Sequence, residues 1–301
     1  MVGVGNALVD YTYLLTNLPD ADSGAYVLDR DTRPGGVESN VMAALGVLDI
    51  DTGLIARLGD DADADMVVAH LDAAGIETRR VRRATGDITS YCIVLTDEDG
   101  RRAILGGGDS TPNLELNTDD LAYLNGAKMV FSSAYAPARV VRRLADIDTS
   151  LAFDLAGGFD DIKYRGFTRQ ALDEVLSGID LLISNVNAAQ SYLRREHNPQ
   201  ALAVALRERG VYRGAVTAGA DGSVLFDRDD TYTIEALNTD VVDTTGAGDV
   251  FTAALIKWWL LDGESPAEAG RYATAAAALS CTSRGARGAL PTREEVLERL
   301  Q

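Results

Sequence analysis

From Gly36 onward, short apolar runs alternate with segments of helical periodicity, and this alternation confines the chain to a narrow set of folds. Ser39 to Leu48 reads as a helix, Thr52 to Arg57 as a strand and Ala64 to Ala74 as a helix. Lys128 to Ser132, Ser150 to Asp154, Asp180 to Ser184 and Gly214 to Ala218 read as strands. Thr168 to Ser177, Pro199 to Arg209 and Asp249 to Leu261 read as helices between or after them. Apolar strands separated by helices predict an α/β fold with a doubly wound, mostly parallel sheet flanked by helices. Val2 to Leu8 reads as a further buried strand.

Two stretches do not fit that layer. Val9 to Leu28 and Ser90 to Leu105 alternate apolar and polar residues, with turn signals at Asp22-Ser23-Gly24 and Asp97-Glu98-Asp99-Gly100. They are expected to be antiparallel strands of a small β lid, residues 11–35 and 87–111, inserted in a main domain of residues 1–10, 36–86 and 112–301. A length of 301 residues suits one large domain with such an appendage.

The strongest chemical signal is Val242-Asp243-Thr244-Thr245-Gly246-Ala247-Gly248-Asp249 before the apolar stretch Val250 to Leu261. Glycines at a helix start let backbone N–H groups approach an anion, and the helix end adds partial positive charge. A carboxylate at Asp249 in the first turn is placed to accept the proton of an attacking hydroxyl. Taken alone, Gly-x-Gly-Asp reads equally well as a turn with an N-capping aspartate.

In its wider setting the motif resembles the C-terminal signature of the PfkB, or ribokinase-like, family of carbohydrate and nucleoside kinases. The N-terminal signature is similar too: Gly35-Gly36-Val37-Glu38-Ser39-Asn40 followed by Ala43-Ala44-Leu45-Gly46, with Arg57-Leu58-Gly59-Asp60-Asp61 as a further matching block. The order runs from the Asp10 strand to Gly285-Ala286, nearly the whole chain. The resemblance implies a ribokinase-like fold with a β lid over the sugar site. It implies Asp249 as catalytic base and Gly246, Ala247 and Gly248 as an anion hole, with Gly248 also toward the nucleotide. Asp10, Asn40 and the Gly35-Gly36 backbone would bind the substrate, since carboxylate and amide groups orient polyol hydroxyls.

For the nucleotide, the resemblance implies Thr217, Gly219 and Gly222 in Val216-Thr217-Ala218-Gly219-Ala220-Asp221-Gly222, Thr274 near adenine, and Asn185. Asn185 opens the family's Asn-x-x-Glu motif, but Ala188 replaces the glutamate, which leaves Asn187 or Gln190 to hold water around Mg²⁺. A K⁺ site is implied at Asp243, Thr245 and backbone carbonyls near Ser280, Ser283 and Gly285, although Ala289 stands where some members carry serine.

The expected function is ATP-dependent phosphorylation of a hydroxyl of a small sugar, with ATP and Mg²⁺ as cofactors. A nucleoside kinase and a catalytically silent ligand-binding relative are the alternatives. No Gly-x-x-x-x-Gly-Lys-Ser/Thr loop is present, and Gly3-Val4-Gly5 lacks the third glycine of a dinucleotide loop, where Leu8 stands. The acceptor is expected to be uncharged. Thr89-Ser90-Tyr91-Cys92-Ile93 lacks the arginine and asparagine of phosphosugar-using relatives, and Ile104 to Ser110 lacks the tyrosine and arginine of ketodeoxygluconate kinases. Arg30, Arg33, Arg101 and Arg102 are expected to be solvated lid arginines.

Charge narrows the partners. A net charge of −18, from 46 acidic against 28 basic residues, repels phosphate backbones, so nucleic acid is not an expected partner. Lysine occurs only at 128, 163 and 257, and aspartate outnumbers glutamate 33 to 13, a composition like that of proteins from salt-loving microbes. The cluster Asp60-Asp61-Ala62-Asp63-Ala64-Asp65 has no obvious basic partner nearby. No apolar stretch is long enough for a membrane span, no basic-then-apolar leader opens the chain, and a cytoplasmic location is expected. Cys92 and Cys281 lie far apart, and two histidines cannot build a His-based metal site. A homodimer through the lid is the expected assembly.

Overall fold

The computed structural model describes residues 1–301. Nine strands form the central sheet: β1 Val2–Val4, β4 Gly53–Gly59, β5 Glu77–Ala84, β8 Val130–Ser133, β9 Leu151–Asp154, β10 Leu181–Asn185, β11 Gly214–Thr217, β12 Ser223–Phe226 and β13 Thr231–Ile234. Their order is β13-β12-β11-β10-β9-β8-β1-β4-β5. Pairing is parallel from β5 through β11 and antiparallel only at β11–β12 and β12–β13.

The strands read as continuous apolar runs because both faces are covered. Ala152, Leu181, Ile183, Ala215 and Leu225 join one apolar cluster, with Leu45, Val250, Leu255 and Ala273 from the helices Val37–Val47, Ala247–Leu255 and Pro266–Ser280. Their neighbours Phe153, Leu182, Val216, Val224 and Phe226 join the other, with Leu172, Tyr192 and Leu202 from Arg169–Leu176, Val186–Leu193 and Pro199–Glu208. The two-residue period of a strand divides each run between the two layers.

A second sheet is built from β2 Leu8–Leu15, β3 Val27–Gly35, β6 Tyr91–Asp97 and β7 Arg102–Gly107, in the order β3-β2-β6-β7. The hairpins β2–β3 and β6–β7 are antiparallel as expected, but β2 and β6 pair in parallel, with Asp10 opposite Cys92. Alternating hydrophobicity reports only that one face is buried, not the direction of the neighbouring strand. The first expected strand also divides: β1 ends at Val4, and the chain crosses at Gly5, Asn6 and Ala7 to begin β2 at Leu8.

The expected helix Asp249 to Leu261 is α-helical only to Leu255 and continues as a π-helix, Ile256–Leu261. Adjacent indoles Trp258 and Trp259 are both buried, and a widened turn is one way to turn both inward. The acidic cluster finds a cation after all. Arg83 on β5 pairs with Asp65 at 2.5 Å and Asp60 at 3.3 Å, while Asp63 accepts the Tyr11 hydroxyl at 2.7 Å. No helix is long and apolar enough to cross a membrane.

Candidate active site

In the central sheet the strand order reverses between β1 and β8, and the crevice beyond the carboxyl ends there is the position where open α/β sheets bind ligands. Glu38, from the first turn of Val37–Val47, closes the floor of that crevice. Its Oε2 accepts Asn6 N–H at 2.8 Å after β1, and its Oε1 accepts Ser133 N–H at 2.8 Å and the Ser133 hydroxyl at 2.7 Å at the end of β8. Burial pushes this carboxyl up while the three donors pull it back. The helix enters the crevice through Gly36, whose φ of +102° suits glycine and whose missing Cβ would lie 2.8 Å from the Asn6 carbonyl oxygen. Gly35 leaves room for the Asp10 carboxylate, which occupies the space of its absent side chain.

One turn further on, Asn40 Nδ2 donates to Asp249 Oδ2 at 2.8 Å. The two signatures, 209 residues apart in sequence, therefore touch. Asp249 stands in the first turn of Ala247–Leu255, which begins at Gly246 (φ +78°) with no side-chain cap. Space around Gly248 is open, so the helix start faces the crevice. Burial pushes the Asp249 carboxyl up to about 7; Asn40 and Arg287 pull it down, and Asp154 and Glu38 push it further up. A carboxylate near its midpoint at neutral pH, beside an uncapped helix N-terminus, is equipped to take a hydroxyl proton while the helix end holds developing negative charge.

Three further groups complete this side. Asp10 on β2 is pushed up to about 6 by burial, against the pull of Arg102 and Arg287. Asp154, at the end of β9, is pushed up to about 7 by burial and by Glu38, while Ala156 N–H donates to its Oδ1 at 2.7 Å. Arg287 donates from Nε to Asn40 Oδ1 at 2.9 Å and from Nη2 to the Ser39 hydroxyl at 2.7 Å. Sequence reasoning missed Glu38, Asp154 and Arg287 as site residues. Asp154 carried a usable signal, a carboxylate ending a buried strand. Arg287 lay just past Gly285-Ala286, inside a stretch read only for its carbonyls.

The model of the pfkB family of carbohydrate kinases matches residues 1–293. The chain belongs to that family. This pfkB kinase is a ribokinase-like sugar kinase, a phosphotransferase with an alcohol group as acceptor. It is 30% identical over 299 residues to the ATP-dependent ribose-1-phosphate kinase of Halopiger xanaduensis, covering 98% of this chain and 96% of that one. It is 29% identical over 313 residues to the ribokinase of Arabidopsis thaliana, covering 100% and 81%. The structure of the Arabidopsis ribokinase complexed with ribose and ATP superposes with a TM-score of 0.84 at 26% identity, covering 100% and 98%. The Thermotoga maritima ribokinase shares the fold, with a TM-score of 0.86 at 22% identity over 99% and 98% of the two chains.

Along the same sheet edge, this pfkB kinase carries the residues expected to face the nucleotide. Asn185 ends β10 and caps Val186–Leu193, accepting Ala188 N–H at 2.9 Å and donating to the Ala156 carbonyl at 2.8 Å, so its amide is committed on both sides. Ala188 is buried, Asn187 is exposed and Gln190 donates to the His197 carbonyl at 3.2 Å. Thr217 ends β11, and Gly219 and Gly222 border the tight turn to β12. Thr274 is nearly buried within Pro266–Ser280.

The loop expected to hold a cation is organised by Asp243. Burial works to raise this carboxyl, but donors from Gly285 N–H (2.8 Å), Thr245 N–H (2.9 Å) and the Thr245 hydroxyl (2.7 Å) outweigh it and hold it below its ordinary value. Asp243, Thr245 and Gly285 are thus brought together. The Ser280 hydroxyl instead turns back to the Ala277 carbonyl at 2.8 Å in its own helix. Strand β3 is clasped to the same loop, because Arg33 donates to the Arg284 carbonyl.

Proposed function

We propose that this enzyme transfers the terminal phosphoryl group of ATP to a hydroxyl of a pentose, with Asp249 as general base. The acceptor oxygen forms its bond to phosphorus as the bond to the departing ADP oxygen breaks, and the hydroxyl proton passes to Asp249. Gly246, Ala247 and Gly248 supply the anion hole at the helix start, and Asp10, Asn40 and the Gly35-Gly36 backbone hold acceptor hydroxyls. The single observation that carries this reading is the Asn40–Asp249 contact, which joins the acceptor signature to the carboxylate at the helix start. The likeness to a ribose-1-phosphate kinase and to a ribokinase supports a pentose.

Asn185, Thr217, Gly219, Gly222 and Thr274 would flank the nucleotide. With Ala188 buried and Asn185 committed, the turn after β10 offers Mg²⁺ no carboxylate, which suits an ion held mainly by ATP phosphates and water. The three donors converging on Asp243 support a K⁺ that would pack against this loop and steady the anion hole. Residues 11–35 and 87–111 would act as the lid. A second copy of the chain would cover its exposed apolar residues Val27, Leu28, Ile104 and Leu105. The acidic surface would favour concentrated salt.

The test is ADP release from ATP across free pentoses, hexoses, nucleosides and sugar phosphates, with the product identified by mass. Pentose-dependent ADP release with a phosphorylated product is expected. Turnover confined to nucleosides, or none with any acceptor, would overturn the proposal.

A further inference from the structure

Arg287 reaches the crevice from a C-terminal loop that is itself held in place. Gly285 N–H donates to Asp243 Oδ2 at 2.8 Å, and Ala286 fills the space beside Gly246, where an added Cβ would lie 2.5 Å from that of Ala286. The next side chain is a guanidinium that no carboxylate pairs with; Asp249 and Asp10 act on it only from longer range. Its Nε donates to Asn40 Oδ1 at 2.9 Å, its Nη2 donates to the Ser39 hydroxyl at 2.7 Å, and its Nη1 is buried without a partner. A shielded guanidinium matched only by two neutral oxygens costs stability. Its place is explained by what those two oxygens belong to.

The first branch runs through Asn40. An amide side chain has an acceptor on one side and donors on the other. With Oδ1 on the Arg287 Nε, the Asn40 Nδ2 is left to face Asp249 Oδ2 at 2.8 Å. Turned over, the amide would set its oxygen against the carboxylate and its NH2 against the guanidinium, so Arg287 decides which face Asp249 receives. The second branch runs through Ser39. Its hydroxyl oxygen accepts from Arg287, so its proton is turned to the Gly35 carbonyl at 2.7 Å and the Gly36 carbonyl at 3.0 Å. The other charged groups around Asp249 are Glu38, from the same helical turn as Ser39 and Asn40, and Asp154, at the end of β9, both acidic; Asp10 on β2 faces Arg287 and feels Arg102 as well.

We propose that Arg287 is the positioning residue of this site: through Asn40 it aims an amide donor at Asp249, and through Ser39 it fixes the Gly35-Gly36 backbone that receives the acceptor. The planar fork of a guanidinium suits this task, because two of its nitrogens hold two side chains in one fixed frame. The proposal rests on the sugar-kinase reading above, with Asp249 as base, and adds the residue that keeps the base and the acceptor backbone in register.

The experiment measures kcat and KM against pH from 6 to 10, with ATP and whichever of ribose, fructose and ribose 1-phosphate the parent turns over fastest. It uses the parent, Arg287→Gln, Arg287→Lys, Ser39→Ala, Asn40→Ala, and Asn40→Ala combined with Arg287→Gln. In Arg287→Gln the acid limb of kcat should move up by roughly one pH unit, and kcat at pH 7 should fall roughly 5- to 10-fold. In the Asn40→Ala background the same substitution should cost only about two- to threefold, because the amide it aims is gone. Arg287→Lys keeps the charge without the fork and should restore only part of the loss. Ser39→Ala should raise the acceptor KM by about 2- to 10-fold and leave the acid limb in place. A residue that merely holds the fold lowers kcat without moving the limb. An unmoved limb in Arg287→Gln, losses that multiply in full in the double variant, or a lysine variant equal to the parent throughout overturns the positioning role and leaves the kinase standing. Where Arg287→Gln does not fold, Arg287→Lys and Ser39→Ala carry the test, and parent behaviour in both overturns the role. No turnover of any of the three sugars by the parent overturns the kinase reading and this one with it.

Discussion

Replacing Asn40 by alanine isolates the contact that joins the two halves of the site. The lost bond runs from Asn40 Nδ2 to Asp249 Oδ2 at 2.8 Å and favours the ionised carboxylate. A hydrogen bond to a charged group is worth about 1.5–3 kcal/mol. At about 1.4 kcal/mol per pKa unit, its loss raises the Asp249 carboxyl by roughly one to two units. The parent value is about 7. A general base works only when ionised, so activity falls as pH falls through that value, and the variant moves this acid limb to higher pH. At pH 7 the ionised fraction drops from about one half to between about a tenth and a hundredth, a loss of roughly 5- to 50-fold that largely recovers above pH 9. The assay is kcat against pH from 6 to 10 at saturating ATP and acceptor. Any weakened grip on the acceptor appears separately in KM. An acid limb that stays at the parent pH, or moves lower, refutes the reasoning.

Three other expectations follow from the geometry and the charge. Gly246→Ala forces a side chain onto φ +78° with its Cβ 2.5 Å from that of Ala286, so it should destabilise the fold by at least about 1–2 kcal/mol, seen as a lower melting temperature. An unchanged melting temperature would show that the turn relaxes freely. With a net charge of −18, the melting temperature should rise along a KCl series, and a flat or falling response would remove the case for salt screening. Comparing KCl with LiCl at equal ionic strength then isolates the loop at Asp243, where higher activity in K⁺ is expected and equal activity in both counts against a K⁺ site.

Most of the central sheet was legible because its strands are buried on both faces and leave unbroken apolar runs. Strands β5, β12 and β13 were not; β12 and β13 are only four residues each, and Glu77–Ala84 is an edge strand whose arginines pair with Asp60, Asp65, Asp119 and Asp120 instead of entering the core. Helix Pro266–Ser280 carried a start signal, with Ser265 capping it and proline at its first position, yet its alanine-rich run gave little contrast between faces. Within the site, Asp249, Asn40 and Asp10 could be placed because each belongs to a local motif. Glu38, Asp154 and Arg287 could not, because their significance lies in neighbours far away in sequence: Ser133 for Glu38, Glu38 for Asp154, and Asn40 for Arg287. Only the strand order brings these carboxylates together beyond β1, β8 and β9.

The central claim is that Asp249 takes the proton in phosphoryl transfer to a sugar, and Asp249→Asn tests it most directly. The amide keeps the size of the side chain and the bond to Asn40 after a flip, but it cannot accept the proton. Turnover of the best acceptor should fall by about 10²–10⁴-fold at every pH from 6 to 10, while ATP binding measured by calorimetry stays close to the parent value. An Asp249→Asn variant turning over at close to the parent rate would contradict the account.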